Sequence, residues 1–153
     1  MSQTIPIVII GAGPIGLTAA LDLHAHGIAA IVLEAKAPAP ITATASARGG
    51  SRAICFAKRS LEIWDRLGVV DEMRAKGVTW NTGRLYYKDK AVYSFNLLPE
   101  AGHNHPAFIN LQQYYLEEYL LAGYEKHPGH HVRWQHRASH VQQDADGVWV
   151  EVE

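Results

Sequence analysis

Only one of the 153 residues is cysteine, Cys55, so no disulfide can form within the chain. A single thiol suits a reducing cytoplasm and not a disulfide scaffold. Excess charge is also missing: 14 Lys and Arg against 15 Asp and Glu leave a net charge of −1. That balance provides no polyanion-binding surface, so nucleic acid is not an expected partner. Long apolar runs are absent too. The N-terminal stretch has no basic leader region and is broken by Gly11, Gly13, Pro14 and Gly16. It falls well short of the ~20 apolar residues that a spanning helix needs, and it reads as neither signal peptide nor membrane span. Nine histidines occur, yet none lies in an HExxH or Cys/His ligand spacing, so no metal site is expected. Repeats, low-complexity tracts and coiled-coil heptads are lacking as well. The length suits one ordinary domain with a real core.

What is present begins at Gly11-Ala12-Gly13-Pro14-Ile15-Gly16. The motif follows an apolar strand over residues 5–10 and opens a helix over residues 14–26. A second strand, residues 29–33, ends in Glu34. A GxGxxG pattern alone is weak, but this context makes a dinucleotide-binding βαβ unit. Gly11 permits the tight turn out of the strand, Gly13 leaves room for a pyrophosphate, and Gly16 lets the helix pack on the sheet. The helix start offers free N–H groups and roughly half a positive charge to the phosphates. Pro14 lies in the first turn, where its missing N–H costs nothing. Glu34 is placed to accept hydrogen bonds from the adenosine ribose hydroxyls.

Along the remaining chain, Leu17, Ala20, Leu21 and His24 form the inner face of the first helix, and Gly27 caps it. A long Ala-, Pro-, Ser- and Thr-rich segment, residues 35–52, ends in Arg48-Gly49-Gly50-Ser51-Arg52; loops of that length are usually functional or mobile. A helix over residues 57–67 buries Leu61, Trp64 and Leu67 and is capped by Gly68, and a short helix covers residues 70–76. Residues 84–87 and 91–95 are strands joined at Lys88-Asp89-Lys90. A loop spans residues 97–105, and residues 108–111 are extended. An amphipathic helix over residues 113–127 carries Leu116, Leu120 and Tyr124 inward. Residues 131–134 form the third parallel strand, and residues 138–142 and 148–152 form a hairpin turned at Asp144-Ala145-Asp146-Gly147. Cys55, between Ile54 and Phe56, reads as a small buried residue. Tyr114, Tyr115, Trp134 and Trp149 read as packing residues.

Several segments match one family in order. They are the glycine turn with Leu17, Ala20 and Glu34; Ser51-Arg52-Ala53-Ile54 leading into Arg59-Ser60-Leu61-Glu62 and Leu67-Gly68-Val69; Asn110-Leu111-Gln112-Gln113-Tyr114-Tyr115-Leu116-Glu117; and Asp144-Ala145-Asp146-Gly147-Val148. On these residues the chain resembles the FAD-dependent aromatic hydroxylases, single-component flavoprotein monooxygenases that act on phenols. Within them it is similar to the hydroxylases of hydroxyphenylpropionate and hydroxybenzoate type. The resemblance implies an α/β fold, an FAD-type Rossmann βαβ domain with a parallel sheet and a β-hairpin insertion. Residues 1–153 would be the N-terminal FAD-binding domain, its ADP-binding half, with residues 84–110 a partial substrate-domain insertion.

The resemblance also implies a cofactor set: FAD held at Gly11, Gly13, Pro14, Ile15, Gly16, Glu34, Ala35, Arg52 and Gln113, with NAD(P)H as electron donor. In the family, reduced flavin takes up O2 to form a flavin hydroperoxide that attacks a phenolic substrate. Arg52 would sit near the flavin or its pyrophosphate, where an arginine fork suits phosphate oxygens; the lesser alternative for it is a surface cation, whereas Arg48 reads first as a solvated loop charge. Gln113 matches a cofactor-contacting glutamine, with Gln112 the alternative if the register slips by one. Tyr86, Tyr87 and Tyr93 lie where the family's sheet borders the substrate. No residue is assigned as catalytic acid or base. Family members run several hundred residues, and the later segments that supply a fourth parallel strand and most of the flavin-ring pocket have no counterpart here. The expectation is therefore a partial enzyme whose first strand lacks one neighbour, completed by the remainder of the enzyme or a second copy. The alternatives are another FAD- or NAD(P)-dependent oxidoreductase and a non-catalytic nucleotide-binding fragment.

Overall fold

The computed structural model describes residues 7–38 and 53–153. Fourteen elements follow in chain order: β1 (Ile7–Ile10), α1 (Pro14–Ala25), β2 (Ala30–Glu34), β3 (Cys55–Ala57), α2 (Lys58–Arg66), α3 (Val70–Lys76) and β4 (Val78–Trp80). After these come β5 (Thr82–Tyr87), β6 (Lys90–Asn96), β7 (Phe108–Asn110), α4 (Gln113–Glu125), β8 (Val132–Trp134), β9 (Ala138–Gln143) and β10 (Val148–Val152). They divide into two compact units. One combines the segments before Gly50 and after Leu116, and the other is Ser51–Tyr115. No helix among the described residues is long and apolar enough to cross a membrane.

The first unit is built on a parallel sheet in the order β1-β2-β8. β2 is central, which explains its unbroken apolar run Ala30-Ile31-Val32-Leu33: both faces are covered, and Val32 is fully buried. β1 pairs in register with β2, Ile7 with Ala30 and Ile10 with Leu33, and lies at the edge of the sheet, as the sequence led us to expect. α1 buries Leu17, Ala20 and Leu21, three positions on one helical face, while His24 is only half-buried. The helix closes on a six-residue reversal. Ile28 N–H donates to Leu23 C=O at 2.9 Å and Gly27 N–H to His24 C=O at 2.8 Å. Gly27 takes φ +70°, which a side chain would oppose. Leu116, Leu120 and Tyr124 of α4 are buried at helical spacing. The Tyr124 hydroxyl reaches Ala30 C=O on β2 at 3.4 Å. β9 and β10 pair antiparallel, with Arg137 and Glu153 exchanging both backbone hydrogen bonds at the open end.

The second unit contains an antiparallel sheet in the order β3-β7-β4. Neither β3 nor β4 was legible in the sequence, because strands of three residues give too few alternations to register as a period. The fully buried Ile109 of β7 is the centre of this sheet, paired with Phe56 on one side and Thr79 on the other. α2 buries Leu61 and Trp64, and the Trp64 ring meets Phe56 edge-on at 5.5 Å. Leu67, expected in the core, is only half-buried, because α2 stops at Arg66 and Leu67 serves as its cap. Gly68, at φ +71°, repeats the closure seen at Gly27, as the sequence indicated. β5 and β6 form a two-stranded hairpin bent by an irregularity after Leu85, and the Phe95 ring lies over Gly83, where any Cβ would strike it.

Besides Leu67, two further packing expectations fail. Cys55 is exposed, not buried. It belongs to β3, so side chains alternate; Phe56 turns in toward Trp64, while Cys55 and Ala57 face out. Trp149 is 55% exposed and is no core residue. Its indole Nε1–H donates to Asp144 Oδ2 at 2.8 Å, so the ring braces the β9–β10 turn.

Candidate dinucleotide-binding site

The glycine turn lies between β1 and α1, and each glycine has its own geometric reason. Gly11 adopts φ +103°, a backbone conformation that L side chains avoid, and its N–H donates to Leu33 C=O on β2 at 2.7 Å. The turn is thereby fastened to the neighbouring strand as the chain leaves the sheet. Gly16 lies against the turn itself. A Cβ there would overlap the Gly11 carbonyl oxygen and press on the Ile9 side chain at 3.2 Å. Gly13 differs from both: a Cβ placed on it meets nothing within 4 Å. Among the described residues its lack of a side chain therefore serves no contact, and the space beside it is open.

α1 begins at this open position. Gly13 is its N-cap and contributes no side-chain cap, Pro14 fills the first helical position, and the first turn carries no acidic residue. The first intrahelical bond runs from Leu17 N–H to Gly13 C=O at 3.0 Å. The N-cap residue thus leaves the positive end of the helix without a side-chain cap, and that end favours an anion. Ile15 stands beside it, 87% exposed.

Glu34 ends β2, and its carboxylate is held by backbone on both sides. Oε2 accepts the Ala12 N–H at 2.9 Å, and Oε1 accepts the Lys36 N–H at 3.0 Å. An ionised carboxylate has about four lone-pair directions, so two remain for hydroxyl donors. Ala35, which follows, is exposed. The connection between β8 and β9 is tied to the same corner. His136 N–H donates to Glu34 C=O at 2.9 Å, and Gln135 N–H donates to Lys36 C=O at 3.0 Å. Gln135 takes φ +57° to do so.

The structure therefore brings Gly11, Gly13, Pro14, Ile15, Gly16, Glu34 and Ala35 together in one unit. Arg52 and Arg48 lie outside the described residues. Gln113 is the first residue of α4 and falls in the second unit, half-buried, while Gln112 is exposed and its carbonyl accepts Tyr115 N–H at 3.0 Å. Sequence reading missed Ala12, whose backbone N–H anchors the acid, and the Gln135–His136 connection. Both act through main chain, which leaves no mark on residue type. The open side of Gly13, the uncapped helix start and the anchored carboxylate fit a dinucleotide whose pyrophosphate lies at α1 and whose ribose reaches Glu34.

A second polar cluster lies in the other unit. His105 is 4% exposed, and its Nε2 lies 3.0 Å from Asp65 Oδ2; its Nδ1 is buried with no partner among the described residues. Nearby, Lys58 Nζ donates to His103 Nδ1 at 2.8 Å and lies 3.7 Å from Glu62 Oε1. Glu62 also pairs with Arg59 at 3.1 Å, and that hydrogen bond is the main reason its carboxyl titrates below the usual range. These contacts hold the 97–107 connection to α2, together with Lys58 N–H on Ala107 C=O at 2.9 Å and Ala107 N–H on Asn81 Oδ1 at 2.8 Å.

Comparison with known proteins agrees with this geometry. The family model for the FAD binding domain matches residues 4–153. Among curated proteins, the 3-(3-hydroxy-phenyl)propionate/3-hydroxycinnamic acid hydroxylase of Mycolicibacterium smegmatis is 29% identical over 97% of this chain and 25% of its own length. The para-nitrophenol 4-monooxygenase of a Pseudomonas species is 28% identical over 95% of this chain and 34% of its own. The chain thus spans about a quarter to a third of these relatives. Among solved structures, p-nitrophenol 4-monooxygenase from Pseudomonas putida superposes with a TM-score of 0.82 at 23% identity, covering 99% of this chain and 37% of that one. The flavin-dependent monooxygenase PieE, solved with FAD and substrate, superposes with a TM-score of 0.73 at 22% identity, covering 97% of this chain and 26% of that one. With the family model matching nearly its whole length, the chain belongs to the FAD binding domain family.

Proposed function

We propose that this chain is the FAD-binding portion of an NAD(P)H-dependent monooxygenase that hydroxylates phenolic aromatic compounds with O2. The observation that carries the reading is the extent of the family match. It runs from residue 4 to residue 153 and so includes the helix that starts at Gln113 and the β9–β10 hairpin, beyond the glycine turn that many nucleotide-binding proteins share. The two curated relatives described above act on phenols by name.

In this reading the residues divide the work of holding FAD. Gly11 turns the backbone so that the start of α1 faces the pyrophosphate, and Gly13 admits it. The uncapped helix end favours its charge. Glu34 accepts from the ribose hydroxyls while Ala12 and Lys36 keep its carboxylate in place, and Pro14, Ile15 and Ala35 line the approach. Arg52 would add a cation for the phosphates and Gln113 a contact to the cofactor. When bound, the flavin supplies the redox and oxygen chemistry, and the protein positions it and excludes water. Residues 84–110 would be this chain's share of the substrate domain, with exposed Tyr86, Tyr87 and Tyr93 on the hairpin. The remainder of an enzyme of the relatives' length, or a second copy, would complete the site, and the lone exposed Cys55 suits a reducing cytoplasm.

The test is the visible spectrum of the purified chain after addition of FAD and desalting. Retained bands near ~370 and ~450 nm, expected of oxidised flavin, support the reading; because this chain alone is expected to bind FAD weakly or not at all, a colourless chain means that the later segments are needed, and the same spectrum of an enzyme of the relatives' full length then decides. In an enzyme of the relatives' full length carrying this segment, phenol-stimulated oxidation of NAD(P)H is expected. Bound flavin without such stimulation would point instead to another flavin-dependent oxidoreductase.

A further inference from the structure

Three imidazoles join the end of α1 to the turn that follows α4. His24, in the last turn of α1, lies 3.9 Å from His127 and 4.3 Å from His130 between ring centres. His127 and His130 are 6.0 Å apart, and the Tyr124 ring meets His130 edge-on at 5.3 Å. All three histidines are half-buried, all lie in the first unit, and holding the dinucleotide uses none of them.

The titratable groups nearest the three rings in sequence are Asp22 on α1 and His26 just after it, Tyr124 and Glu125 at the end of α4, Lys126 just after it, and His131 before β8. His26 Nδ1 lies 2.7 Å from the Asp22 carbonyl oxygen, and His130 Nδ1 lies 3.2 Å from Pro128 C=O. Burial pushes the Tyr124 hydroxyl above its usual range, so near neutrality it stays uncharged and gives an imidazolium no counter-charge. The charges acting on His24 are those of His127 and His130. Among the described residues no three His, Cys, Asp or Glu side chains converge as metal ligands.

We propose that His24, His127 and His130 form a proton-operated clasp that fastens the end of α1 to the turn between α4 and β8. Neutral rings pack favourably in tilted and edge-on contacts. Imidazolium charges at these separations repel one another, so acidification drives the rings apart. His24 already titrates below the ordinary imidazole value of 6.5, first through desolvation and then through any charge on His127 and His130. With the folded value below the unfolded one, the unfolded chain binds more protons in the interval. The clasp's contribution is then complete above 6.5 and is lost as pH falls through the folded value.

Amide hydrogen exchange over residues 126–131, corrected for intrinsic rates, tests this at pH 7.5 and pH 5.5. In the native chain, protection there is expected to fall on the order of tenfold at the lower pH, a shift typical of a local opening equilibrium moved by one ionisation. In His24→Gln the acid response is expected to shrink to below about threefold, since the central ring no longer charges. Equal acid responses in the two proteins, or no response in the native chain, would overturn the proposal. Should His24→Gln fail to fold, the imidazole titration of native His24 followed by nitrogen NMR decides. A midpoint below 6.5 supports the clasp, and one at or above 6.5 overturns it.

Discussion

Glu34 holds Ala12 across 22 residues of sequence: the carboxylate that ends β2 accepts, at 2.9 Å, an N–H from inside the glycine turn. With Lys36 N–H on its other oxygen, the acid is fixed before any ribose arrives. In Glu34→Gln one oxygen acceptor becomes an amide donor facing a backbone donor. One charge-assisted bond is lost, costing about 1–2 kcal/mol. Urea unfolding should show the loss, with FAD retention reduced in parallel. An unchanged midpoint would mean that these two bonds add nothing net.

Gly13, the N-cap of α1, and Gly16, three positions on in its first turn, should fail in opposite ways. Gly16→Ala drives a Cβ into the Gly11 carbonyl, a backbone atom that cannot swing aside, and should cost about 2–4 kcal/mol of stability. Gly13→Ala meets nothing among the described residues and should leave the thermal midpoint within a few degrees of native. Its methyl fills the space assigned to pyrophosphate, so FAD affinity should drop on the order of tenfold or more, about the effect of a ~1.4 kcal/mol clash. Fluorescence titration with FAD beside thermal melts separates the two. Equal FAD affinity in Gly13→Ala and native protein would remove the pyrophosphate from that position.

His105 should be the costliest polar side chain to remove from the second unit. It is buried to 4% exposure and bonded to Asp65, so His105→Ala loses both packing and a hydrogen bond, about 2–4 kcal/mol. Asp65→Asn keeps a carbonyl oxygen for the same Nε2–H and should cost below about 1 kcal/mol. Chemical unfolding of both variants checks the ratio. If Asp65→Asn proved as damaging as His105→Ala, the carboxylate's charge, not its acceptor oxygen, would be what holds the 97–107 connection.

Asp144 governs the acid stability of the β9–β10 turn. Its carboxylate accepts from the Trp149 indole at 2.8 Å and from the N–H groups of Asp146 and Gly147. Those bonds, the indole's first, hold it below the usual value of 3.8. The folded value is therefore lower than the unfolded one. Its contribution is whole above pH 3.8 and fades as pH falls through the folded value. Trp149 fluorescence followed from pH 5 to pH 2 should report the release, and Asp144→Asn should flatten that transition. A transition unaltered in the variant would show that another group drives it.

Legibility followed the length and burial of each element. β2 and α1 announced themselves because a covered strand must be apolar throughout and a half-covered helix must repeat every three or four residues. Gly27 and Gly68 marked helix ends because the closures there need a left-handed residue. The glycine turn was legible where a missing side chain is itself the signal, as in the positive φ of Gly11 and the tight packing at Gly16. What escaped was short or made of backbone. β3 and β4 have three residues each, Cys55 was placed by neighbours instead of by alternation, and Ala12, Gln135 and His136 take part through N–H groups that any residue possesses.

The parallel sheet also sets a timetable for synthesis. β2 finds its second partner in β8, which begins 98 residues after Glu34. At the ~5–20 residues per second typical of translation, the first three elements wait on the order of 5–20 s for that strand to emerge. Throughout that interval β2 carries an apolar run with one side unpaired, and the whole Ser51–Tyr115 unit is made in the meantime. A ribosome pausing within this stretch would lengthen the period in which the nascent chain depends on a chaperone to keep β2 from pairing elsewhere.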